Sequence, residues 1–256
     1  MNQQPRRNAY KIFIPSLYDG TRLEARVGVN YVDDQNFAKA VIISHPYGPL
    51  GGNFYNNVVV TVEQYFQDKG YLTIAFNFRG SGKSKGRTSW SGEPECEDYK
   101  TMLEFLSKSG KIGENTILQI PKISDVTIIG YSYGSLIASS IASSSSQFTF
   151  PTSYILINYP FSVTWFLTFF RSSTYLNYLQ TLLVSASRVL FIYGDSDQFT
   201  GVGKYRQWVK INKAAENPLW TIKELKGTDH FYTWQSMEDK LIEALDEWKD
   251  NVLATR

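Results

Sequence analysis

Short, unbroken apolar runs alternate along this chain with longer segments whose apolar positions recur every three or four residues. KAVIISH (Lys39 to His45), YLTIAFNF, ISDVTIIG, SYILINY and RVLFIYG have the length and β-branched content of buried strands. Between them NNVVVTVEQYFQDKG predicts a helix ending at Gly70, and EPECEDYKTMLEFLSK one with acidic residues in its first turn. SLIASSIASSS and VGKYRQWVKINKAAE are also helical, LWTIKEL is extended, and SMEDKLIEALDEWKDNVL closes the pattern as an amphipathic helix. Before the first buried run, AYKIFIPSLYDGTRLEARVGVNYV alternates and turns at Asp19-Gly20, as an antiparallel hairpin does.

Strand and helix in alternation predict an α/β fold: a mainly parallel central sheet with helices on both faces and an antiparallel N-terminal hairpin. In such sheets ligands bind at the carboxyl ends of the strands. Two stretches break the repeat. SGKIGENTILQIPKIS lengthens one helix-to-strand connection and reads as a surface insertion. PFSVTWFLTFFRSSTYLNYLQTLLVSAS lies between two core strands and reads as a small aromatic cap at about 160–187, with a peripheral packing helix as the other reading. SSSSQ (Ser143 to Gln147) reads as a frayed helix end. No repeat or glycine-serine linker divides the chain, so residues 1–256 are expected to form one domain.

The 256 residues suffice for one well-filled core. Lys plus Arg (26) nearly balance Asp plus Glu (24), so no strong field invites nucleic acid or an anionic membrane. A single cysteine, Cys96, excludes an internal disulfide and a cysteine metal site, and suits a reducing compartment. The first residues lack the apolar run of a signal peptide. FSVTWFLTFFRSS is interrupted by Arg171, short of the ~20 residues of a membrane span. A cytoplasmic protein is the expectation, and the sequence fixes no oligomeric state.

The chemistry concentrates in TIIGYSYGS. Gly130-Tyr131-Ser132-Tyr133-Gly134 is a G-x-S-x-G between a strand and a helix, the setting of a nucleophile elbow. The two glycines leave the room that a serine on a strained turn needs, and the N–H after the serine points from the helix start toward a developing oxyanion. Only two histidines exist. His230, in the loop after LWTIKEL, is the candidate base. After RVLFIYG the segment GDSDQF offers Asp195 and Asp197. Asp197 is the better placed acid and Asp195 the better loop-fixing residue, while Asp229 adjoins His230 and points away. The order Ser132, Asp197, His230 is that of a serine triad on an α/β-hydrolase sheet. In HPYGPLGGNFYNN, Pro46 has no N–H, so Tyr47 is the first candidate donor to pair with Tyr133. His45 reads as a second base or, better, as a brace for this loop.

Together these residues resemble the α/β-hydrolase superfamily, and more closely its small, nearly lidless group with an HPHPxxGG loop, related to dienelactone hydrolase-like proteins. The matching stretches, VIISHPYGPLGGNFYNNVV, GYLTIAFNFRGSGKSKG, VTIIGYSYGSLIAS, LFIYGDSDQF and GTDHFY, run in order from Val41 to Tyr232, about three quarters of the chain. Tyr47 stands where that loop usually has its second histidine. The resemblance implies Ser132 as nucleophile, Asp197 as acid, His230 as base, and the Tyr47 and Tyr133 N–H groups as oxyanion donors. It also makes Arg79 and Gly80 loop-shaping residues. NFRGSGKSKG lacks a G-K-[ST] at P-loop spacing, so nucleotide binding is rejected.

The expected function is a serine hydrolase that cleaves a carboxylic ester or related acyl bond of a small molecule, with no metal or organic cofactor. Tyr131, Trp165, Phe166 and Phe169, with Phe170, make the expected substrate pocket aromatic. Two other readings stay open: a non-catalytic binding or scaffold protein on the same fold, and an acyltransferase or peptidase using the same triad.

Overall fold

The computed structural model describes residues 8–29, 37–108, 110–112 and 118–254. Among them eight strands share one sheet: β1 (Asn8–Pro15), β2 (Arg22–Val29), β3 (Phe37–Ser44), β4 (Leu72–Phe76), β7 (Lys122–Tyr131), β8 (Thr152–Ile157), β9 (Arg188–Gly194) and β10 (Trp220–Leu225). Their order is β1-β2-β4-β3-β7-β8-β9-β10. β1 and β2 pair antiparallel, as do β2 and β4, and every later pairing is parallel. A separate antiparallel ribbon, β5 (Gly110–Ile112) with β6 (Leu118–Ile120), occupies the connection expected to be a surface insertion. The centre of that insertion, like the first seven residues, lies outside the described residues.

The strands read as unbroken apolar runs because both faces are covered. Successive β7 residues go to opposite sides: Ile128 joins one hydrophobic cluster and Ile129 the other. The first cluster takes in α2 (Glu93–Ser107), α3 (Tyr133–Ser140) and α5 (Ser172–Val184). The second takes in α1 (Asn57–Asp68) and α7 (Gln235–Ala254). Two short helices complete the chain order, α4 (Thr164–Leu167) and α6 (Val202–Ile211). Ser143–Gln147 continues α3 as a 3-10 turn.

The aromatic stretch at 160–187 divides in two. Tyr175, Leu179, Leu182 and Leu183 of α5 are buried against the α3 layer, so this half is an ordinary crossover helix between β8 and β9. Residues 164–171 instead stand at the carboxyl ends of the strands, with Trp165, Phe166, Phe169 and Phe170 exposed. Helical periodicity reveals which face of a helix is apolar, not which neighbour covers it.

Candidate active site

Ser132 sits between β7 and α3 with φ 54° and ψ −120°, a conformation L-residues avoid. Its N–H donates to Ile157 O at 2.9 Å, and its carbonyl accepts from Ser135 N at 2.8 Å and Ser135 Oγ at 2.6 Å. The flanking glycines are sterically required. A Cβ at position 130 would stand 2.2 Å from Gly134 O, and one at 134 would stand 2.6 Å from Ser44 O. Ser132 is thus held on a strained corner by its neighbours rather than by its own preference.

His230 Nε2 lies 2.9 Å from Ser132 Oγ, and His230 Nδ1 lies 2.8 Å from Asp197 Oδ2. All three side chains are buried. With the proton on Nδ1, the imidazole donates to Asp197 and accepts from the serine hydroxyl. The Asp197 carboxylate is fixed in turn. Its Oδ1 accepts from the N–H groups of Phe199 (2.7 Å) and Thr200 (2.9 Å), and its Oδ2 accepts from Tyr205 Oη (3.0 Å). Asp195 accepts from Gly227 N at 2.7 Å and ties β9 to the turn after β10, the loop-fixing role expected of it. Asp229 holds Phe231, Thr233 N and Thr233 Oγ1.

The His230 loop is anchored from both sides. Its N–H donates to Gln198 Oε1 at 2.9 Å, and its carbonyl accepts from Tyr131 Oη at 2.5 Å. This corrects the pocket role expected of Tyr131. The residue ends β7 on the α1/α7 side of the sheet, is 2% exposed, and props the imidazole from behind. Phe199 meets the His230 ring edge-on at 4.6 Å. Tyr205 carries no motif, and nothing in the sequence singles it out; Gln198 and Phe199 end the segment GDSDQF, which gives no sign of their contacts with His230.

The β3–α1 loop faces this serine's helix. His45 is fully buried, and burial lowers its pKa to about 4. Nε2 accepts from Phe78 N–H at 3.0 Å, so the ring proton is on Nδ1, which donates to Pro46 O at 2.5 Å. A neutral ring with both nitrogens engaged is a brace and not a second base. Pro46 O and Tyr47 N–H belong to one peptide plane, so this brace orients the Tyr47 N–H. Gly52 closes the loop, where a Cβ would stand 2.1 Å from Pro46 O. The Tyr133 N–H is the first of α3 and has no intrahelical acceptor. The Tyr47 and Tyr133 rings meet edge-on at 5.1 Å, and Tyr47 meets Phe166 at 6.4 Å.

Behind the β4–α2 loop, Arg79 pairs with buried Asp98 at 2.6 Å and with Asp19 at 2.9 Å. Gly80 (φ 76°) turns the loop where a Cβ would meet Thr88 N at 2.6 Å. Cys96 is buried, its thiol pushed up to about 11 by burial, and it lies on the α2 layer. Among the described residues, no group of three or more His, Cys, Asp or Glu is placed to hold a metal ion. No helix among them is long and apolar enough to cross a membrane.

The family model for the alpha/beta hydrolase fold matches residues 40–148. An uncharacterised protein of Rickettsia prowazekii is 29% identical over 101 residues, which is 40% of this chain and 38% of that relative's length. Two solved structures superpose over nearly the whole chain. An α/β serine hydrolase homologue from Coxiella burnetii has TM-score 0.67 and 23% identity, covering 96% of this chain and 98% of its own. An esterase from Pyrococcus furiosus has TM-score 0.66 and 19% identity, covering 96% of both chains. Sheet order, strained serine corner and matched segment agree: the chain is a protein of the α/β-hydrolase fold.

Proposed function

We propose that this protein is a serine hydrolase that cleaves a carboxylic ester or related acyl bond of a small molecule through an acyl-serine intermediate. The observation that carries the reading is the unbroken relay from Asp197 through His230 to Ser132, with bonds of 2.8 and 2.9 Å. His230 Nε2 takes the Ser132 proton as Oγ attacks the carbonyl carbon, and Asp197 stabilises the resulting imidazolium. The N–H groups of Tyr47 and Tyr133 hold the oxyanion. Collapse expels the leaving alcohol, which takes the proton from His230. Water, deprotonated by the same nitrogen, then attacks the acyl-serine and releases the carboxylic acid with Ser132 restored. Each step balances with ester and water alone.

The similarity to a solved esterase supports an ester as the acyl bond. The cytoplasmic setting expected from the single cysteine belongs to the same proposal. The test is rapid mixing with excess p-nitrophenyl acetate. A burst of one nitrophenolate per chain, absent in Ser132→Ala, is expected. Turnover retained in Ser132→Ala would refute the assignment.

A further inference from the structure

An exposed ridge of five aromatic rings leads away from the candidate site. Phe166 touches Tyr47 at 6.4 Å between ring centroids, and Trp165 follows at 6.0 Å. Phe170 meets Trp165 at 5.6 Å, Phe169 meets Phe170 at 5.6 Å, and Trp90 meets Phe169 at 6.1 Å. Each ring is more than half exposed, from 51% at Trp165 to 75% at Trp90. Contiguous apolar surface of this kind, kept in water, marks a binding surface.

The backbone beneath the ridge is strained in the same place. Phe169 (φ 45°) and Phe170 (φ 64°) both occupy the left-handed region that suits glycine. The segment is nonetheless firmly built. Thr164, Leu167 and Thr168 are buried beneath it, Thr164 Oγ1 donates to Pro160 O and Thr168 Oγ1 to Thr164 O, both at 2.7 Å, and Phe170 N donates to Trp165 O at 2.7 Å. Two bulky residues therefore stand where glycine would be relaxed, and their rings contribute little to the core. Strain and exposure together are retained for what the rings do outside it.

We infer that this ridge is the track for a long apolar acyl chain of the substrate, starting beside Ser132 at Tyr47 and Phe166 and running out over Trp165, Phe170 and Phe169. The inference rests on the hydrolase reading above and names its substrate class. Continuity favours a tail of the substrate over a separate partner, because the inner end of the ridge is Tyr47 itself.

The experiment compares wild type with Phe169→Gly/Phe170→Gly on p-nitrophenyl esters from acetate to hexadecanoate, the longer ones assayed first below and then above their critical micelle concentrations. Both proteins are also treated with a small fluorophosphonate and melted. In wild type, kcat/KM should rise with each methylene, by at most about fourfold. In the double variant the hexadecanoate-to-acetate ratio below the micelle concentration should fall at least tenfold while the melting temperature holds or rises, since the strain is relieved. An unchanged ratio overturns the track. A length preference that emerges only above the micelle concentration also overturns it, in favour of docking on a lipid surface. Failure of wild type to react with the fluorophosphonate refutes the serine chemistry itself and is told apart by that arm alone.

Discussion

Tyr205 and His230 share one acceptor. The Tyr205 hydroxyl donates to Asp197 Oδ2 at 3.0 Å, and His230 Nδ1 lies 2.8 Å from the same oxygen. The phenol thus pins the carboxylate oxygen that sets the imidazole's orientation. Removing it with Tyr205→Phe leaves Asp197 with two backbone donors and a freer Oδ2. A hydrogen bond to a charged group contributes about 1.5–3 kcal/mol. We expect kcat to fall about tenfold with KM unchanged, measured by steady-state kinetics on a short ester. Equal kcat in variant and wild type would remove Tyr205 from the account.

Tyr131 acts on the same imidazole through its backbone. Tyr131→Phe loses the bond to His230 O but keeps the ring packed in the α1/α7 cluster. A several-fold loss in kcat with little change in KM is expected. A shift confined to KM would return Tyr131 to the substrate pocket.

The strain at Ser132 should be measurable as stability. Glycine tolerates φ 54° without the steric conflict, which for other residues costs about 1–3 kcal/mol. Glycine also loses more chain entropy on folding, by roughly 0.5–1 kcal/mol. Ser132→Gly should therefore be inert toward esters yet about 1 kcal/mol more stable in urea titration. A less stable Ser132→Gly would contradict the strained corner.

Stability should also fall on the acid side through His45. Its pKa is about 4 in the folded chain and near 6.5 in the unfolded one. Between these values the unfolded chain binds the extra proton, so stability is fully present above pH 6.5 and declines as pH falls toward 4. The full effect is about 3 kcal/mol. Urea midpoints between pH 7 and pH 4.5 should fall less steeply in His45→Gln, a variant less stable than wild type at pH 7.

The Arg79–Asp98 pair holds the loop that leads to Trp90. Both side chains are buried, so Asp98→Ala strands a guanidinium and should destabilise the fold by about 3–5 kcal/mol. Calorimetry would check it, and a loss under 1 kcal/mol would mean that Asp19 alone suffices.

The sheet was readable because parallel strands covered on both faces leave continuous apolar runs, and β3, β7, β8 and β9 each show one. The residues converging on Ser132 were readable for a different reason: the chain has two histidines, and of its two G-x-S-x-G runs, Gly82 to Gly86 and Gly130 to Gly134, only the second directly joins a strand to a helix, which leaves few combinations. Tyr131 was misplaced because one step along a strand reverses the face, and its position at the very end of β7 hides which side it takes. Tyr205 and Gln198 were invisible because a helix and a loop bring them to Asp197 and His230 only in three dimensions. The β5–β6 ribbon, with three residues in each strand, is too short to leave a period.

The most direct test of the serine chemistry is labelling of purified protein by a fluorophosphonate, with the modified peptide mapped, in wild type, Ser132→Ala and His230→Ala. One adduct on Ser132 in wild type, none in Ser132→Ala and a much slower reaction in His230→Ala would bear out an activated serine. A folded wild type that stays unlabelled, or a label on another residue, would contradict it and leave a binding protein on a hydrolase fold.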